Sequence, residues 1–405
     1  SKSMAQNMKR SGVFDSNIRY EIEIELDNDK INNYEQTEVV RMLRILTKYI
    51  LCGLQDSKYP ISYKEMNAKK SEYLELFGIE NSYDKVRPTD FIGYSSVTLK
   101  LLNIQENEFG DDVNIRHKYT VTEKADGSRK LLYIDGKGTI YTIDTQLNVQ
   151  YTGMHTKVEG VYNTVLDGEH IKYDKSGKFI NLFAAFDVYV LNKIDKRSEI
   201  FVGTSKEGKR IGRLHLLEKI VASLKLYAGV NVRENAFVVE SKRFYSYEEG
   251  SIFNNCAFIM QRQKDNLYPY EIDGLIFTPA DKPIPIANKR ITWNASFKWK
   301  PPKFNTIDFL VKYAKNNGKD IERESLSKGM YKNIHLYCGF SGGYIDPLND
   351  VLEYNSKNYS SEYAKRKMKR DVDKYRPVLF VPTQPFDEKA YECNVELSYD
   401  SNGSQ

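Results

Sequence analysis

Two segments of the chain carry apolar residues at helical spacing. Residues 36–54 place them three and four apart, which predicts a linker helix packed on one face. Residues 213–227 repeat the pattern and precede Gly229, a common helix stop. The apolar positions are Val39, Val40, Leu43, Leu46, Tyr49 and Ile50 in the first segment and Leu214, Leu217, Ile220, Val221 and Leu224 in the second.

Between residues 118 and 300 the apolar residues instead form short β-rich runs with few helices between them. This pattern predicts an α+β fold with antiparallel sheets. After Pro301 and Pro302 the character changes, because short β-like runs flank a polar, Lys- and Ser-rich stretch over residues 355–374. The pattern there predicts a small β domain.

Composition narrows the function classes only slightly. The chain has 405 residues, enough for two or three domains, and its net charge of +5 is too small to indicate nucleic-acid binding by itself. The four Cys and five His are scattered, which argues against a zinc site or a disulfide framework and favours a reducing compartment. No apolar run approaches the roughly 20 residues that a membrane span needs.

The strongest candidate for chemistry is Lys124. Residues 122–129 read Thr-Glu-Lys-Ala-Asp-Gly-Ser-Arg, between a β-like run at 119–121 and an apolar run at 131–134. A lysine at a strand end can face a cleft. Lysine is a poor nucleophile at its ordinary pKa of about 10.4 and a good one when desolvation or positive charge lowers that pKa. The other interpretation is a solvated lysine beside an Asp-Gly hairpin turn.

Four further motifs follow in order, and each is a β-rich apolar run with charged residues at its edge. Taken singly, they have ordinary interpretations as hairpin turns, plain core or solvated charges. Taken together and in order, they resemble the covalent nucleotidyltransferases, over most of residues 91–309. The motifs are Val-Leu-Asp-Gly-Glu at 165–169, Leu-Phe-Ala-Ala-Phe-Asp-Val at 182–188, Glu-Ile-Asp-Gly-Leu-Ile-Phe at 271–277 and Phe-Lys-Trp-Lys-Pro at 297–301.

The resemblance implies three catalytic residues. Lys124 is the nucleophile that forms a lysyl Nζ–phosphate bond, Asp126 orients this lysine, and Asp273 lies near the lysine and the metal. Glu169 and Asp273 are the implied ligands of Mg²⁺ or Mn²⁺, which bind oxygen. Phosphoryl-type transfer depends mostly on positioning and charge neutralisation, which suits this set.

The resemblance also implies how the nucleotide is held. Arg129 and Glu169 match ribose contacts, and Phe186 matches an aromatic that stacks on the purine. Lys298 and Lys300 are two apart on a strand, so both side chains share a face and reach the triphosphate. The implied nucleotide-binding residues are Glu123, Arg129, Glu169, Phe186, Lys298, Lys300, Arg370 and Lys374.

Arg370 and Lys374 belong to a stretch that meets the last family motif only loosely. The resemblance assigns them to pyrophosphate orientation, and a solvated basic helix is an equal alternative. A second departure is Ile-Asp-Thr-Gln at residues 143–146, where many cellular capping enzymes carry Ile-Asp-Arg.

Two features favour mRNA capping guanylyltransferases over ligases within this family. Asp273 stands before Gly274 where ligases typically have Glu, and residues 298–302 continue into Asn-Thr-Ile-Asp-Phe at 305–309. The implied substrates are GTP and the 5′ end of RNA, as in the multifunctional capping enzymes of large cytoplasmic DNA viruses. The implied location is cytoplasmic, in a viral factory or virion if the protein is viral. An ATP-dependent polynucleotide ligase and a non-catalytic RNA-binding subunit remain the alternatives.

The N-terminal segment adds a clue about neighbouring domains. Glu21, Glu23 and Glu25 alternate with aliphatic residues, which predicts a strand with one acidic face. This strand resembles the end of a tunnel-type RNA triphosphatase domain, although a charged edge strand is the alternative. One strand cannot close a tunnel, so we expect no working triphosphatase here and, in a longer polypeptide, linked triphosphatase and methyltransferase domains.

These interpretations combine into a domain prediction. The predicted units are a trailing acidic strand at 1–30, a helical linker at 31–80, a nucleotidyltransferase domain with antiparallel sheets at 81–300 and, by resemblance, an OB-fold β-barrel at 301–405.

Overall fold

The structure is a computed structural model of the chain. It describes residues 22–79, 87–106, 113–228, 236–287 and 289–301, and beyond these the shorter ranges 310–313, 315–325, 329–332, 334–339 and 375–377. The chain divides into two compact units, residues 1–304 and 305–405. None of the helices in these ranges has the length and apolarity to cross a membrane.

Helices of the first unit lie before the sheets and between their strands. The α-helices are α1 (Asn28–Ile31), α2 (Gln36–Leu54), α3 (Tyr63–Glu75), α4 (Arg213–Ser223) and α5 (Ile252–Lys264), and short 3₁₀ turns are formed by Pro88–Asp90, Leu101–Asn103, Glu159–Val161 and Tyr247–Glu249.

Fifteen strands lie in the described residues of this unit. They are β1 (Tyr94–Thr98), β2 (Tyr119–Ala125), β3 (Ser128–Ile134), β4 (Thr139–Asp144), β5 (Val149–Thr156), β6 (Thr164–Tyr173), β7 (Phe179–Leu191), β8 (Ile194–Asp195), β9 (Gly203–Thr204), β10 (Arg210–Ile211), β11 (Leu226–Ala228), β12 (Val238–Ser241), β13 (Tyr245–Ser246), β14 (Ile272–Pro279) and β15 (Ile291–Trp299).

Two sheets dominate the first unit. A five-stranded sheet has the order β1-β15-β14-β2-β13, and an eight-stranded sheet has the order β11-β5-β4-β3-β6-β7-β12 with β8 also paired to β7. All neighbouring pairs in these sheets are antiparallel except β1 with β15 and β12 with β7. The predicted α+β class with antiparallel sheets is therefore confirmed for this unit.

Helices cover the sheets with apolar side chains. On the eight-stranded sheet, α3 packs Tyr73 and Leu74 in a cluster with Tyr133. Leu214 and Leu217 of α4 belong to a second cluster with residues of the same sheet. Helix α5 covers the five-stranded sheet by packing Ile252 and Ile259 in a cluster with residues of β2, β14 and β15. This burial of apolar area provides most of the driving force for assembling the unit.

The helix predicted over residues 36–54 is confirmed as α2, with the same bounds. The expected packed face is only partly formed: no residue of α2 is fully buried, Val39, Leu43 and Ile50 are half-buried, and Val40, Leu46 and Tyr49 are exposed. Residues 22–27, expected as part of an acidic strand, are exposed and have no regular secondary structure. A strand needs a neighbour to satisfy its backbone groups, and no described strand pairs with this segment.

The second predicted helix is correct at its start and wrong at its end. Helix α4 ends at Ser223, because Leu224 adopts an extended conformation and residues 226–228 form β11 against the edge of β5. Gly229, the predicted stop, lies outside the described residues.

The second unit contains short antiparallel strand pairs in its described residues. Ile334–Gly339 lies between Leu310–Tyr313 and Tyr375–Pro377, while Lys315–Asn316 pairs with Lys319–Asp320 and Glu322–Ser325 pairs with Gly329–Lys332. The OB-fold barrel remains a prediction for this unit. Its strands are β16 (Leu310–Tyr313), β17 (Lys315–Asn316), β18 (Lys319–Asp320), β19 (Glu322–Ser325), β20 (Gly329–Lys332), β21 (Ile334–Gly339) and β22 (Tyr375–Pro377).

A buried ion pair fixes the start of α4 to the eight-stranded sheet. The Arg213 Nε and Nη2 atoms lie 2.8 and 3.1 Å from the two carboxylate oxygens of Asp187, and both side chains are almost wholly buried. We expect Arg213→Ala to lower the free energy of unfolding by about 3–5 kcal/mol, because Asp187 is left buried without a partner. Urea unfolding measures this loss.

The control for that prediction is Arg210→Ala. Arg210 pairs with Glu218 at 2.9 Å, but its side chain is 56% exposed, so we expect a loss below about 1 kcal/mol. Equal losses for the two variants would contradict the assignment of Arg213 as a buried anchor.

Candidate active site

Lys124 lies near the end of β2, which runs between β14 and the edge strand β13 of the five-stranded sheet. The other residues of this strand are buried, whereas the Lys124 side chain is 25% exposed. Its partner across the sheet is Gly274 of β14, and a Cβ added there would overlap the carbonyl oxygen of Trp299. Because position 274 has no side chain, the strands β2, β14 and β15 can approach closely beside Lys124.

One carboxylate holds two lysines at this point. The Lys124 Nζ atom lies 2.8 and 3.0 Å from the two carboxylate oxygens of Asp273. The Lys300 Nζ atom lies 2.6 Å from Oδ2 of the same aspartate, whose side chain is only 10% exposed. Ion pairs of this burial are screened less than surface pairs, so Asp273 fixes the position of both amines. The predicted proximity of Asp273 and Lys300 to Lys124 is thus seen directly.

Arg129 faces the same region from β3 of the eight-stranded sheet. Its Nε and Nη2 atoms lie 3.1 and 2.6 Å from the two oxygens of Asp167, which is fully buried. Nη1 also donates to the carbonyl of Tyr94, and the guanidinium lies 5.8 Å from the ring centroid of Phe186. A bidentate pair of this kind fixes the plane of the guanidinium.

Glu169 lies opposite Arg129 on the neighbouring strand β6. Burial raises the pKa of Glu169 to about 7, against the opposing effect of Lys242, Lys124 and Arg129. The carboxylate makes no hydrogen bond with the residues that the structure describes. A Cβ at Gly127 would lie 2.9 Å from the Glu169 Cγ atom, so the turn after Lys124 runs directly against this side chain.

The structure brings six of the predicted residues together and leaves Asp126, Lys298 and Glu123 outside that group. Asp126 is exposed, and its backbone N–H donates to the carbonyl of Glu271 at 2.9 Å. Lys298 is exposed on β15 and forms no ion pair with the described residues. Arg370 and Lys374 lie outside the described residues. The residues that gather around one region are Lys124, Arg129, Glu169, Phe186, Asp273 and Lys300.

Glu123 has surroundings quite different from those of its neighbour Lys124. Adjacent residues on a strand point to opposite faces, and the Glu123 side chain is 2% exposed beneath the sheet. It accepts hydrogen bonds from Thr122 at 2.9 Å and Tyr270 at 3.0 Å, and it pairs with Lys242 at 3.2 Å. These partners occupy its carboxylate within the protein.

Sequence reasoning missed Lys242 and Asp167. Lys242 follows β12, is buried, pairs with Glu123 and acts electrostatically on Glu169. A single lysine in a β-rich run carries no signal of its own. Asp167 was visible in the Asp-Gly-Glu motif, whose hairpin interpretation is wrong, because residues 164–173 form one continuous strand.

The residues present fit a divalent cation of the magnesium type. Within the described part of the chain no group of three or more His, Cys, Asp or Glu side chains is placed to hold a metal. Mg²⁺, however, often takes only one or two carboxylates and fills its shell with water and substrate phosphates. Glu169 and Asp273 are carboxylates of this kind, and both interact with Lys124.

A lysine and a cluster of charged groups held between two antiparallel-rich sheets are the features of a nucleotidyltransferase. The family model for the catalytic domain of mRNA capping enzymes matches residues 91–302. The chain therefore belongs to the mRNA capping enzyme family.

Relatives with the same description occur in viruses and eukaryotes. The chain is 26% identical to the probable mRNA-capping enzyme of Acanthamoeba polyphaga mimivirus, over 80% of this chain and 29% of the relative. It is 27% identical to the mRNA-capping enzyme subunit alpha of Schizosaccharomyces pombe, over 56% and 58%. It is 26% identical to the mRNA-capping enzyme of African swine fever virus, over 65% and 26%. The predicted resemblance to viral capping enzymes is confirmed.

The chain spans less than two thirds of the length of each of these relatives. Among solved structures, the ligase domain from M. tuberculosis LigD matches at 14% identity and a TM-score of 0.29, over 55% of this chain and 63% of that domain. A score that low carries no argument about fold.

Proposed function

We propose that the protein is an mRNA guanylyltransferase that acts through Lys124. The Nζ atom attacks the α-phosphorus of GTP, the bond from that phosphorus to the bridging oxygen breaks, and pyrophosphate leaves. The lysyl-GMP then passes its GMP to the diphosphate 5′ end of RNA and frees the lysine. The observation that supports this most is the clamp of Lys124 and Lys300 on Asp273, in a chain of the capping family.

The surrounding residues fit the binding of GTP. Arg129, fixed by Asp167, and Glu169 would contact the ribose, and the half-buried Phe186 would stack on the purine. Lys300 and the exposed Lys298 would meet the triphosphate. These roles follow from the resemblance and agree with the charges in the cleft.

Two further groups of residues complete the proposed site. Glu169 and Asp273 would hold Mg²⁺ or Mn²⁺, which supplies positive charge to the phosphates when bound. Asp126 is proposed to orient Lys124, and Arg370 and Lys374 to orient the pyrophosphate.

The wider assignments are part of the same proposal. The second unit would form an OB-fold barrel, and the longer polypeptide would carry triphosphatase and methyltransferase domains. The partners are GTP and the 5′ end of RNA, and the proposed location is the cytoplasm, in a viral factory or virion if the protein is viral.

Nucleotide labelling tests the proposal directly. Incubation of the chain with α-labelled GTP and a divalent cation, followed by a denaturing gel, should leave label on the protein, and α-labelled ATP should not. Labelling by ATP alone would identify a polynucleotide ligase. Labelling by neither nucleotide, with RNA still bound, would identify a non-catalytic RNA-binding subunit.

A further inference from the structure

Outside the active site, arginine and aromatic side chains lie next to one another along α5, the edge strand β13 and the residues beside them. Arg243 lies 5.4 Å from the ring centroid of Tyr245, and that ring lies 5.4 Å from the ring of Phe258. Arg262 then lies 5.8 Å from Phe258 and 5.3 Å from Tyr268. We call these five residues, Arg243, Tyr245, Phe258, Arg262 and Tyr268, the arginine–aromatic ladder.

Two residues of the ladder are exposed, and Tyr245, Arg262 and Tyr268 are half-buried. Phe258 is 49% exposed, and the Arg243 side chain is 62% exposed, although Arg243 also pairs with Glu249 at 2.8 Å. Arg262 forms no ion pair with the residues that the structure describes. At the other end of α5, Arg116 lies 4.7 Å from the ring of the exposed Phe253. Two exposed rings of α5, Phe253 and Phe258, thus each lie beside an arginine.

The ladder begins close to the nucleophile. Tyr245 of β13 is paired with Val121 of β2, three residues before Lys124. The spacing of strands and residues places the Cα atoms of Tyr245 and Lys124 about 11 Å apart. Tyr245 shares its face of the sheet with Val121, whereas Lys124 points to the other face. β13 is the edge strand of the sheet. A chain that leaves the region around Lys124 therefore needs to pass only this short strand to reach the ladder.

We propose that the arginine–aromatic ladder binds the single-stranded RNA chain that follows the 5′ end receiving GMP. Single-stranded nucleic acid is held by cations along its backbone and by aromatic rings on which its bases stack. Arginines beside exposed rings supply both interactions. An acidic peptide would use the charges but has no flat bases for Phe258. The inference rests on the proposed function, which makes RNA the acceptor.

Acceptor length provides the test. In the full chain, the double variant Phe258→Ala, Arg262→Glu should raise KM for a 20-nucleotide RNA with a 5′-diphosphate about tenfold, since stacking and phosphate contacts are lost. The KM for a 5′-diphosphate dinucleotide should stay unchanged, because that acceptor is too short to reach the ladder. Adduct formation from GTP, which needs no RNA, should also stay unchanged.

The matched control is Arg41→Glu, which makes the same charge reversal as Arg262→Glu at an exposed position of α2. It should leave both KM values as they are. The melting temperature of each variant shows whether it is folded; the exposure of Phe258 predicts little change.

Several outcomes separate this inference from the proposed function. An unchanged KM for the 20-nucleotide RNA, with adduct formation intact, would overturn the ladder assignment and leave the proposed function standing. Equal binding of polyglutamate and RNA, both lost in the double variant, would assign the surface to an acidic peptide instead. If the wild type forms no adduct, the proposed function fails. In that case, fluorescence anisotropy with the 20-nucleotide RNA still tests the ladder as an RNA-binding surface. Weaker binding by the double variant than by the wild type supports this assignment, and equal binding refutes it.

Discussion

Replacing Lys124 by alanine should reduce the covalent GMP adduct to background while the chain remains folded. The amine is the proposed bond-forming group, and the other lysine of the clamp, Lys300, is bound to Oδ2 of Asp273, an oxygen that Lys124 also contacts. Lys124→Arg should be equally inactive, because a guanidinium keeps the charge but does not lose its proton in proteins. Quantitative gel labelling with α-labelled GTP measures both variants.

The control for this prediction is Lys172→Ala. Lys172 also lies on a strand of the first unit and pairs with Asp56 at 2.6 Å, but the pair is largely exposed. Its removal should leave the adduct unchanged. An adduct that survives in Lys124→Ala would refute the assignment of the nucleophile.

Changing Asp273 to asparagine should slow adduct formation about 10²- to 10³-fold. The amide has the shape of the carboxylate but not its charge, so the ammonium groups of Lys124 and Lys300 would repel each other across it. Removing one group that organises charge at a reacting centre typically has an effect of this size. Single-turnover labelling with a rapid quench measures the rate.

Asp281→Asn is the matched control, because Asp281 pairs with Lys118 at 3.2 Å through two well-exposed side chains. Its rate should stay within about twofold of the wild type. A rate for Asp273→Asn within the same range would show that the clamp does not position the nucleophile.

The core of the site could be predicted from the sequence because each motif combines a strand with its charged edge. Lys124, Asp273 and Lys300 come from three strands or strand ends that lie side by side in one sheet. The pairing order itself was not predictable, since apolar runs of similar length offer many alternative neighbours. The strand β15 ends at Trp299, so Lys300 follows the strand and reaches Asp273, whereas Lys298 stays exposed within it.

The surroundings of several side chains could not be predicted from the sequence pattern. Strand alternation puts Glu123 on the opposite face from Lys124, where the partners of its carboxylate are buried. The buried partners Lys242 and Asp167 depend on contacts between distant strands. For α2, the apolar periodicity predicted the helix but not its exposure, because the pattern does not specify which element packs against the apolar side.

The two faces of β2 have a practical consequence for mutagenesis. Lys124 points to one face of β2, whereas Glu123, one peptide bond away, contacts Tyr270 and Lys242 on the other face. Substitutions in that lower layer would shift the backbone that carries Lys124. They would also lower the stability of the domain. A scan across this layer would therefore find activity and thermal resistance falling in parallel, while changes on the upper side would affect turnover alone.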